Sequence, residues 1–295
     1  MSKLYSAFRD KRTNHPFPPV IQISRRVKTN VCEGGLRLER IHIVVATNDK
    51  YVKHLAVMLT SLFEHKSTNR PLSLYVIDGK ISNENKQKLH NALKSYQVEL
   101  SFLTVEDSLF QDVVVRYHLS KETYYRIAIP ALLPKDVRKA LYLDCDLIVK
   151  EDITNLWDVN IDKYHLGAVP IPGKVLRFEE LSIPEKFGYF NAGVLLLNLK
   201  KWRDNQTSEK VLHYMRKNPE KLKFMDQDAL NAVLHEKWLK LDPKWNYQVH
   251  RSHHQRFAPA IIHYTTDKKP WNSWHNPKFK DEYLKYAKKT NWKLD

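Results

Sequence analysis

The sequence predicts an α/β fold in which a mostly parallel sheet carries helices on both faces. Short apolar segments rich in β-branched residues alternate with segments whose apolar residues recur at helical spacing, as in folds of this class. Apolar residues make up 42% of the 295 residues, which is enough for a sizeable core. The longest apolar run, near residues 192–199, has the length of a strand and is too short to cross a bilayer.

The first half of the chain alternates regularly between the two types of element. The predicted order is strand 41–46, helix 51–63, strand 72–77, a helix that Ser82 caps and that ends near 96, strand 98–105, a helix that Ser120 caps and that ends near 134, and strand 140–149. Ligands of such sheets bind beyond the carboxyl ends of the strands. Functional residues are therefore expected at 47–51, at 144–146 and from His263 onward.

The second half of the chain is less regular. Its predicted elements are strand 190–197, followed by the segment 198–203, then helix 226–234, strand 260–264 and an amphipathic helix near 279–289. The first turn of helix 226–234 carries acidic residues, which the helix dipole favours. Residues 1–40 are polar, basic and weakly periodic, and they are interpreted as an N-terminal extension.

The net charge of +16 favours anionic partners, although a lysine-rich solvated surface would give the same balance. Residues 268–295 contain eight lysines and three acids, interleaved with aromatic residues. This pattern is typical of a surface that touches an anionic membrane, and it would also suit single-stranded nucleic acid. Two cysteines, Cys32 and Cys145, and an N-terminus unlike a secretory signal predict a cytoplasmic protein, with peripheral contact to the inner membrane face as a further hypothesis.

Two carboxylates, Asp144 and Asp146, follow the apolar start of the predicted fourth strand. On an extended backbone the side chains of residues i and i+2 point the same way, so these carboxylates repel each other unless a cation lies between them. Mg²⁺ or Mn²⁺, which prefer oxygen ligands, would fit. The alternative interpretation is that Asp146 caps a turn and Asp144 is solvated.

Three further groups are candidates for the same site. His263 closes an apolar segment, and if it joins the two aspartates the mixed nitrogen and oxygen ligands favour Mn²⁺ over Mg²⁺. Lys269 would reach a bound phosphate, and Asp226 with Gln227 would hydrogen-bond sugar hydroxyls. Each has a simpler interpretation: a packed or capping histidine, a surface lysine and a plain helix N-cap.

Four motifs occur in a fixed order: Asp144-Cys145-Asp146, YFNAGVLLLNLKKWR at 189–203, MDQDALN at 225–231 and HYTTDKKPW at 263–271. Together they resemble glycosyltransferase family 8, which includes bacterial lipopolysaccharide galactosyltransferases and, more distantly, glycogenin. The resemblance covers residues 41–275. It implies a division into a basic extension (1–40), a glycosyltransferase domain of the GT-A fold (41–275) and a basic, aromatic tail (276–295).

The resemblance also implies an activity and a set of site residues. It implies transfer of a glucose- or galactose-type hexose from a UDP-sugar to a glycan, lipid or protein, with Mn²⁺ and with retention of the anomeric configuration. The implied metal ligands are Asp144, Asp146 and His263. The uracil and ribose would be lined by Ala46, Thr47, Asn48 and Tyr51, the diphosphate would be contacted by Lys269, and phosphate or sugar by Arg126. The hexose would be held by Asn191, Asp226 and Gln227, and the donor site completed by Cys145, Ala192 and Thr266. Gln227, Asp226 and Arg126 are the implied catalytic residues.

Three residues depart from the family pattern. Asn48 stands where an aspartate usually faces the uracil N–H, and its carbonyl can accept that bond without charge assistance. Lys50 replaces a common asparagine near the ribose, and Thr266 replaces a glycine near the diphosphate. These departures bear on base selectivity and donor affinity.

Three other functions are compatible with parts of the sequence. An Asp-x-Asp at a strand end also begins haloacid-dehalogenase-like phosphatases, but their late Gly-Asp-x-x-x-Asp motif is missing here. A nucleic-acid binder would explain the charge, but no nucleic-acid motif supports it. A transferase that binds the nucleotide-sugar without turning it over would explain the three departures.

Overall fold

The computed structural model describes residues 39–110, 121–172, 177–252, 256–272, 274–290 and 292. The predicted extension, apart from Glu39 and Arg40, lies outside these residues, and so does Ser120 as a helix cap. The predicted domain boundaries at 40 and 275 stay predictions.

Ten strands lie within the described ranges. They are β1 (Ile41–Asn48), β2 (Leu72–Gly79), β3 (Val98–Leu103), β4 (Lys139–Leu143), β5 (Leu147–Val149), β6 (Leu166–Pro170), β7 (Phe190–Asn198), β8 (Trp238–Lys240), β9 (Tyr247–Gln248) and β10 (Ile261–His263). The α-helices of the same ranges are α1 (Val52–His65), α2 (Asn83–Leu93), α3 (Ile129–Leu132), α4 (Thr154–Trp157), α5 (Leu199–Asp204), α6 (Thr207–Lys217), α7 (Asp226–Leu234) and α8 (Lys280–Ala287).

Seven of the strands form one sheet in the order β3-β2-β1-β4-β7-β6-β8. The pairs β3–β2, β2–β1, β1–β4 and β6–β8 are parallel, whereas β7 runs antiparallel to both β4 and β6. A small second sheet has the order β5-β10-β9. The predicted α/β fold with a mostly parallel sheet is confirmed.

The main sheet is buried on both faces, which explains why its strands are apolar almost without interruption. Along β1, Val44 packs into the apolar cluster on one face, while Ile43 and Val45 pack into the cluster on the other. The second cluster includes the buried face of α1. Ser82 caps α2 as predicted, because its hydroxyl accepts a hydrogen bond from Asn85 N (3.3 Å).

The predicted strand 140–149 is wrong in one respect, because the chain leaves the main sheet in its middle. Strand β4 ends at Leu143, and β5 begins at Leu147 in the small sheet. The backbone explains the break: Asp144 N donates to Gly193 O of β7 (2.9 Å), whereas Asp146 O accepts from Tyr264 N (3.1 Å) beyond β10. The two aspartates therefore lie on the connection between the sheets.

The predicted helix ending near 134 also differs from the structure. Residues Lys121–Ala128 form a 3₁₀ helix, and only Ile129–Leu132 is α-helical. Pro130 gives the physical reason, because proline has no N–H to donate and its ring would clash with the carbonyl four residues earlier in a continuous α-helix.

The C-terminal helix α8 packs on the body of the protein. Tyr283 and Tyr286 are buried in an apolar cluster with Val57 of α1, so these aromatic residues are not exposed. Trp274, in contrast, is 87% exposed. Among the described residues, no helix has the length and apolar character needed to cross a membrane.

Candidate active site

A cavity of about 570 Å³ opens at the carboxyl end of β1, beside the connection between β4 and β5. Its wall includes every predicted site residue: Ala46, Thr47, Asn48, Tyr51, Arg126, Asp144, Cys145, Asp146, Asn191, Ala192, Asp226, Gln227, His263, Thr266 and Lys269. The structure thus brings these residues together, while the role of each one stays a prediction.

Asp144, Asp146 and His263 each offer one ligand atom, and the three atoms lie within 4.8 Å of one another. The His263 Nε2 atom is 3.8 Å from Asp144 Oδ2 and 3.3 Å from Asp146 Oδ1. His263 is only 2% exposed. One nitrogen and two carboxylates facing a common point form a donor set that suits a divalent metal ion.

A chain of hydrogen bonds fixes the tautomer of His263. Gly193 N donates to Asn191 Oδ1 (3.0 Å), and Asn246 Nδ2 donates to the same oxygen (2.8 Å). The Oδ1 atom of Asn246 therefore faces His263 Nδ1 at 2.8 Å. Because a carbonyl oxygen only accepts, Nδ1 carries the proton and Nε2 of the neutral ring keeps a lone pair that points at the aspartates.

Gly193 lets β7 approach this cluster closely. A Cβ atom at residue 193 would overlap His263 Cε1 and would lie 2.6 Å from Asp144 Oδ2. Any larger residue would push the histidine and the aspartate apart. The NAGV motif of the sequence therefore has a direct steric reason at its glycine.

Asp146 is held in its ionised form. Its Oδ2 atom accepts a hydrogen bond from Lys269 Nζ, and Lys269 also donates to Tyr264 O. Burial acts to raise the pKa of Asp146, but the neighbouring charges and hydrogen bonds, of which Lys269 contributes the most, outweigh it and hold this pKa well below its usual value. An ionised carboxylate is the form that coordinates a metal.

Arg126 connects Asp144 to the far wall of the cavity. Its Nη2 atom lies 3.4 Å from Asp144 Oδ1, and its Nε atom lies 2.9 Å from Asp226 Oδ2. The Tyr142 hydroxyl donates to Asp144 Oδ1 (2.7 Å). Burial acts to lower the pKa of Arg126, but Asp144 and Asp226 raise it above its usual value, so the guanidinium stays charged.

Asp226 is a buried carboxylate without hydrogen bonds. It is 1% exposed, and neither of its oxygens has a hydrogen-bond partner in the described part of the chain. The Nε–H of Arg126 instead donates to Thr123 O (2.8 Å). Burial, partly offset by Arg126, raises the pKa of Asp226 to about 7. The N-cap position of α7 is Met225, so the simple N-cap interpretation of Asp226 is wrong.

Gln227 is held by hydrogen bonds at both ends of its amide group. Its Oε1 atom accepts from Asn191 Nδ2 (3.1 Å) and from Ala192 N (3.0 Å). Its Nε2 atom donates to the Tyr189 hydroxyl (3.1 Å), which in turn donates to Asp228 Oδ1 (2.6 Å). The amide therefore has a single orientation beside the metal cluster.

The wall near the end of β1 contains the residues predicted to line the nucleoside. Asn48 Oδ1 accepts hydrogen bonds from Lys50 N and Tyr51 N, both at 3.1 Å. The Cys145 thiol donates to Ala46 O (3.3 Å), and burial raises the pKa of Cys145 well above its usual value. This thiol is therefore a packed, unreactive group.

Several residues of the cavity wall were not predicted from the sequence. They are Glu122, Gln248, His250, Arg251 and the glycine Gly193, with Asn246 behind His263. Only Gly193 lay within a recognised motif. The others lie in short elements and turns outside those motifs, so no sequence signal singled them out.

The sheet topology, with the acidic cluster at its edge and the cavity beside it, is that of the GT-A fold. Solved structures with this fold include the galactosyltransferase LgtC bound to donor and acceptor sugar analogues (TM-score 0.78, 24% identity, 86% of this chain and 97% of that chain). Another is the glycosyltransferase GlyE of Streptococcus pneumoniae (TM-score 0.68, 24% identity, 84% of this chain and 60% of that chain).

Residues 42–275 match glycosyl transferase family 8, and the chain belongs to this family. General stress protein A of Bacillus subtilis is 35% identical over 272 residues, which are 86% of this chain and 95% of that protein. A putative glycosyltransferase of Haemophilus influenzae is 30% identical over 71% of this chain and 64% of its own length. The lipopolysaccharide 1,2-glucosyltransferase of Escherichia coli is 28% identical over 80% of this chain and 74% of its own length.

The protein is therefore a glycosyltransferase, and its family implies a nucleotide-sugar donor, a glycan-type acceptor and a divalent metal ion. The phosphatase and the nucleic-acid binder that the sequence left open receive no support from these matches.

Proposed function

We propose that the protein is a retaining, Mn²⁺-dependent hexosyltransferase that uses UDP-glucose, UDP-galactose or a similar donor. The observation that carries this proposal is the cluster of Asp144, Asp146 and His263, whose ligand atoms lie within 4.8 Å of one another in the wall of the cavity. A UDP-sugar brings a diphosphate that needs a divalent counter-ion, and this cluster can hold one.

The donor set favours Mn²⁺ over Mg²⁺, because a neutral imidazole nitrogen joins two carboxylates. The fixed tautomer of His263 supports this fit, since its Nε2 lone pair faces Asp146 Oδ1. A bound ion supplies a Lewis acid that neutralises the diphosphate leaving group. Lys269, which pairs with Asp146, can contact the same diphosphate.

The donor hexose would bind beside Asp226, Asn191 and Gln227. Neither oxygen of Asp226 is hydrogen-bonded, although Oδ2 forms an ion pair with Arg126, so both can accept hydrogen bonds from sugar hydroxyls, which would lower the cost of burying them. Arg126 contacts both Asp144 and Asp226, so it can fix the position of the residues that would bind the hexose relative to the proposed metal ligands.

We favour attack of the acceptor on the same face that the leaving group departs from, with the departing phosphate taking the acceptor proton. A covalent route needs a nucleophilic carboxylate beneath the anomeric carbon. The Gln227 oxygen is a poor nucleophile and already accepts two hydrogen bonds, so Asp226 is the only covalent candidate that we consider. Near-normal turnover by an Asp226→Asn variant would exclude the covalent route.

The acceptor class that we propose is a glycan, either free or carried on a lipid or a protein. The Escherichia coli relative is named as a lipopolysaccharide 1,2-glucosyltransferase, which supports a glycan acceptor for this chain as well. The particular donor hexose depends on single hydroxyl contacts and is left to the experiment.

The test is UDP release from a panel of UDP-sugars, with Mn²⁺ and with EDTA, for the wild type and for Asp146→Ala. Asp204→Ala is a matched control, because its side chain is 54% exposed and pairs with Lys200. The proposal predicts metal-dependent release from one sugar, lost in Asp146→Ala and kept in the control. If no sugar is hydrolysed while calorimetry detects binding of UDP and Mn²⁺, the donor site is intact, and the protein either requires its acceptor for turnover or is a non-catalytic nucleotide-sugar binder.

A cytoplasmic location and contact with an anionic membrane through residues 276–295 stay predictions. Two of the tail aromatics, Tyr283 and Tyr286, pack inside the protein, whereas Lys285, Lys288 and Lys289 of the tail are exposed. Flotation with liposomes that contain anionic lipid tests this contact, and a protein that stays at the bottom of the gradient would contradict it.

A further inference from the structure

The nucleoside end of the cavity lacks the hydrogen-bond acceptor that the family pattern puts there. Asn48 occupies the position of the usual aspartate, but its Oδ1 atom already accepts from Lys50 N and Tyr51 N. A carbonyl oxygen has two lone pairs, and both are used. The remaining polar group of Asn48 is its NH₂, which donates and cannot accept a hydrogen bond from a base.

A different carboxylate lies in the wall of the same cavity. Glu122, at the start of the Lys121–Ala128 3₁₀ helix, lines it together with Asn48 and Thr47. Its Oε2 atom is buried and has no hydrogen-bond partner among the described residues. Leaving a buried carboxylate oxygen unpaired is costly, so this atom is suited to a partner that arrives with a ligand.

The backbone at the ends of β1 and β2 makes room for this side chain. Gly79 pairs with Asn48 in the parallel register of the two strands. A Cβ atom at residue 79 would lie 2.5 Å from Glu122 Cγ and 2.6 Å from Glu122 Oε1. The glycine therefore lets Glu122 lie directly over the strand ends, beside the residue whose usual role is missing.

We propose that Glu122 recognises the base of the donor nucleotide, and that its carboxylate accepts a hydrogen bond from the imide N–H of uracil. This inference rests on the proposed use of a UDP-sugar. An ionised carboxylate only accepts, and its bond to an N–H is charge-assisted. Uracil presents one N–H between two carbonyls, whereas cytosine presents an unprotonated nitrogen at that place. Glu122 thus selects uridine over cytidine nucleotides.

Calorimetric titration of the full-length protein with UDP and with CDP, both in Mn²⁺, tests the assignment. In Glu122→Gln the charge assistance is lost, and the affinity for UDP falls about tenfold, as expected for a hydrogen bond to a charged group. The affinity for CDP does not fall, because the amide can donate to the cytosine nitrogen whereas the carboxylate cannot, so the UDP/CDP preference falls at least about tenfold. Glu185→Gln, an exposed carboxylate outside the cavity wall, keeps the wild-type preference.

A second variant makes the test independent of damage to the fold. Adding Asn48→Asp to Glu122→Gln replaces the Asn48 amide nitrogen by a second oxygen that the two backbone N–H groups do not occupy. This variant regains most of the UDP/CDP preference. Circular dichroism and the thermal midpoint verify that both variants are folded.

Three outcomes overturn the assignment. An unchanged UDP/CDP preference in folded Glu122→Gln removes Glu122 from base recognition while leaving the proposed function intact. An equal loss of affinity for both nucleotides shows that Glu122 contacts the ribose or only supports the wall. No UDP binding by the wild type refutes the proposed donor class itself, and the role of Glu122 with it.

Discussion

Replacing Asp226 by asparagine is expected to stabilise the ligand-free, metal-free protein at pH 8 while impairing use of the donor. Asp226 is buried, and its oxygens have no hydrogen-bond partner among the described residues. Burial raises the pKa of its carboxyl to about 7, even though Arg126 acts to lower it. The charged form present at pH 8 is therefore less stable in the folded protein than in the unfolded chain.

The pKa gives both the sign and the size of this effect. Between the ordinary pKa of 3.8 and the folded value of about 7, the folded state binds more protons than the unfolded state, so the contribution of Asp226 to stability falls as the pH rises. A pKa raised from 3.8 to about 7 lowers the free energy of unfolding by at most about 4 kcal/mol above pH 7. Asparagine removes this penalty but leaves Arg126 with Asp144 as its one acidic partner among the described residues, so we expect a net gain of about 1–3 kcal/mol.

Urea unfolding at pH 8 and pH 5 in EDTA measures the difference between Asp226→Asn and the wild type. We expect the variant to be more stable at pH 8, and this advantage should shrink at pH 5, where the wild-type carboxyl is largely protonated. Asp204→Asn, which changes a 54% exposed side chain, should show no such pH dependence. A variant that is less stable than the wild type at pH 8 would show that Arg126 and Asp226 form a stabilising ion pair, and the reasoning would be refuted.

Three further changes test the metal and phosphate ends of the site. Asn246→Leu removes the acceptor that fixes His263, so Mn²⁺ affinity in calorimetry should fall about 10–100-fold; an unchanged affinity would contradict the tautomer argument. Gly193→Ala should abolish Mn²⁺ binding, whereas Gly167→Ala, whose Cβ would meet side-chain carbons of Leu241 and Ile161 at 3.1–3.4 Å, should retain it; equal effects would argue against the steric role of Gly193. Lys269→Gln should weaken binding of UDP about tenfold and leave binding of uridine unchanged, and equal losses for both would place Lys269 away from the diphosphate.

Much of the fold follows from local patterns in the sequence. The predicted strand 190–197 corresponds to β7, Phe190–Asn198, because a long apolar run buried on both faces leaves few other structures. Helix α7 was predicted as 226–234 and spans Asp226–Leu234. The predicted site residues meet in one cavity because the topology brings the ends of several strands to one edge of the sheet.

The parts that the sequence missed depend on contacts between distant segments. Within 140–149, Asp144 and Asp146 interrupt the apolar pattern but do not indicate a change of sheet, which depends on hydrogen bonds to Gly193 and Tyr264. The 3₁₀ helix was predictable in principle, since Pro130 stands inside the expected α-helix. The hydrogen bonds that Asn48 Oδ1 accepts could not be predicted from the sequence, because they depend on the turn that the backbone makes before α1.

The unpaired polar atoms of the cavity bear on what it can bind. Asp226 and Glu122 each leave a buried carboxylate oxygen without a hydrogen-bond partner in the described structure, and the His263 lone pair faces two aspartates. Such an arrangement costs stability, since these atoms have been removed from water and the ion pair of Asp226 with Arg126 offsets this cost only in part. A ligand that satisfies all of them must bring donors for two carboxylates and a cation for the ligand cluster. A nucleotide-sugar with a divalent ion has this composition: hydroxyls on the sugar, an N–H on the base and a metal-bound diphosphate. The buried carboxylates that lower the stability of the free protein are thus the same groups that would bind the donor. We therefore expect substitutions such as Asp226→Asn to raise stability and lower activity together.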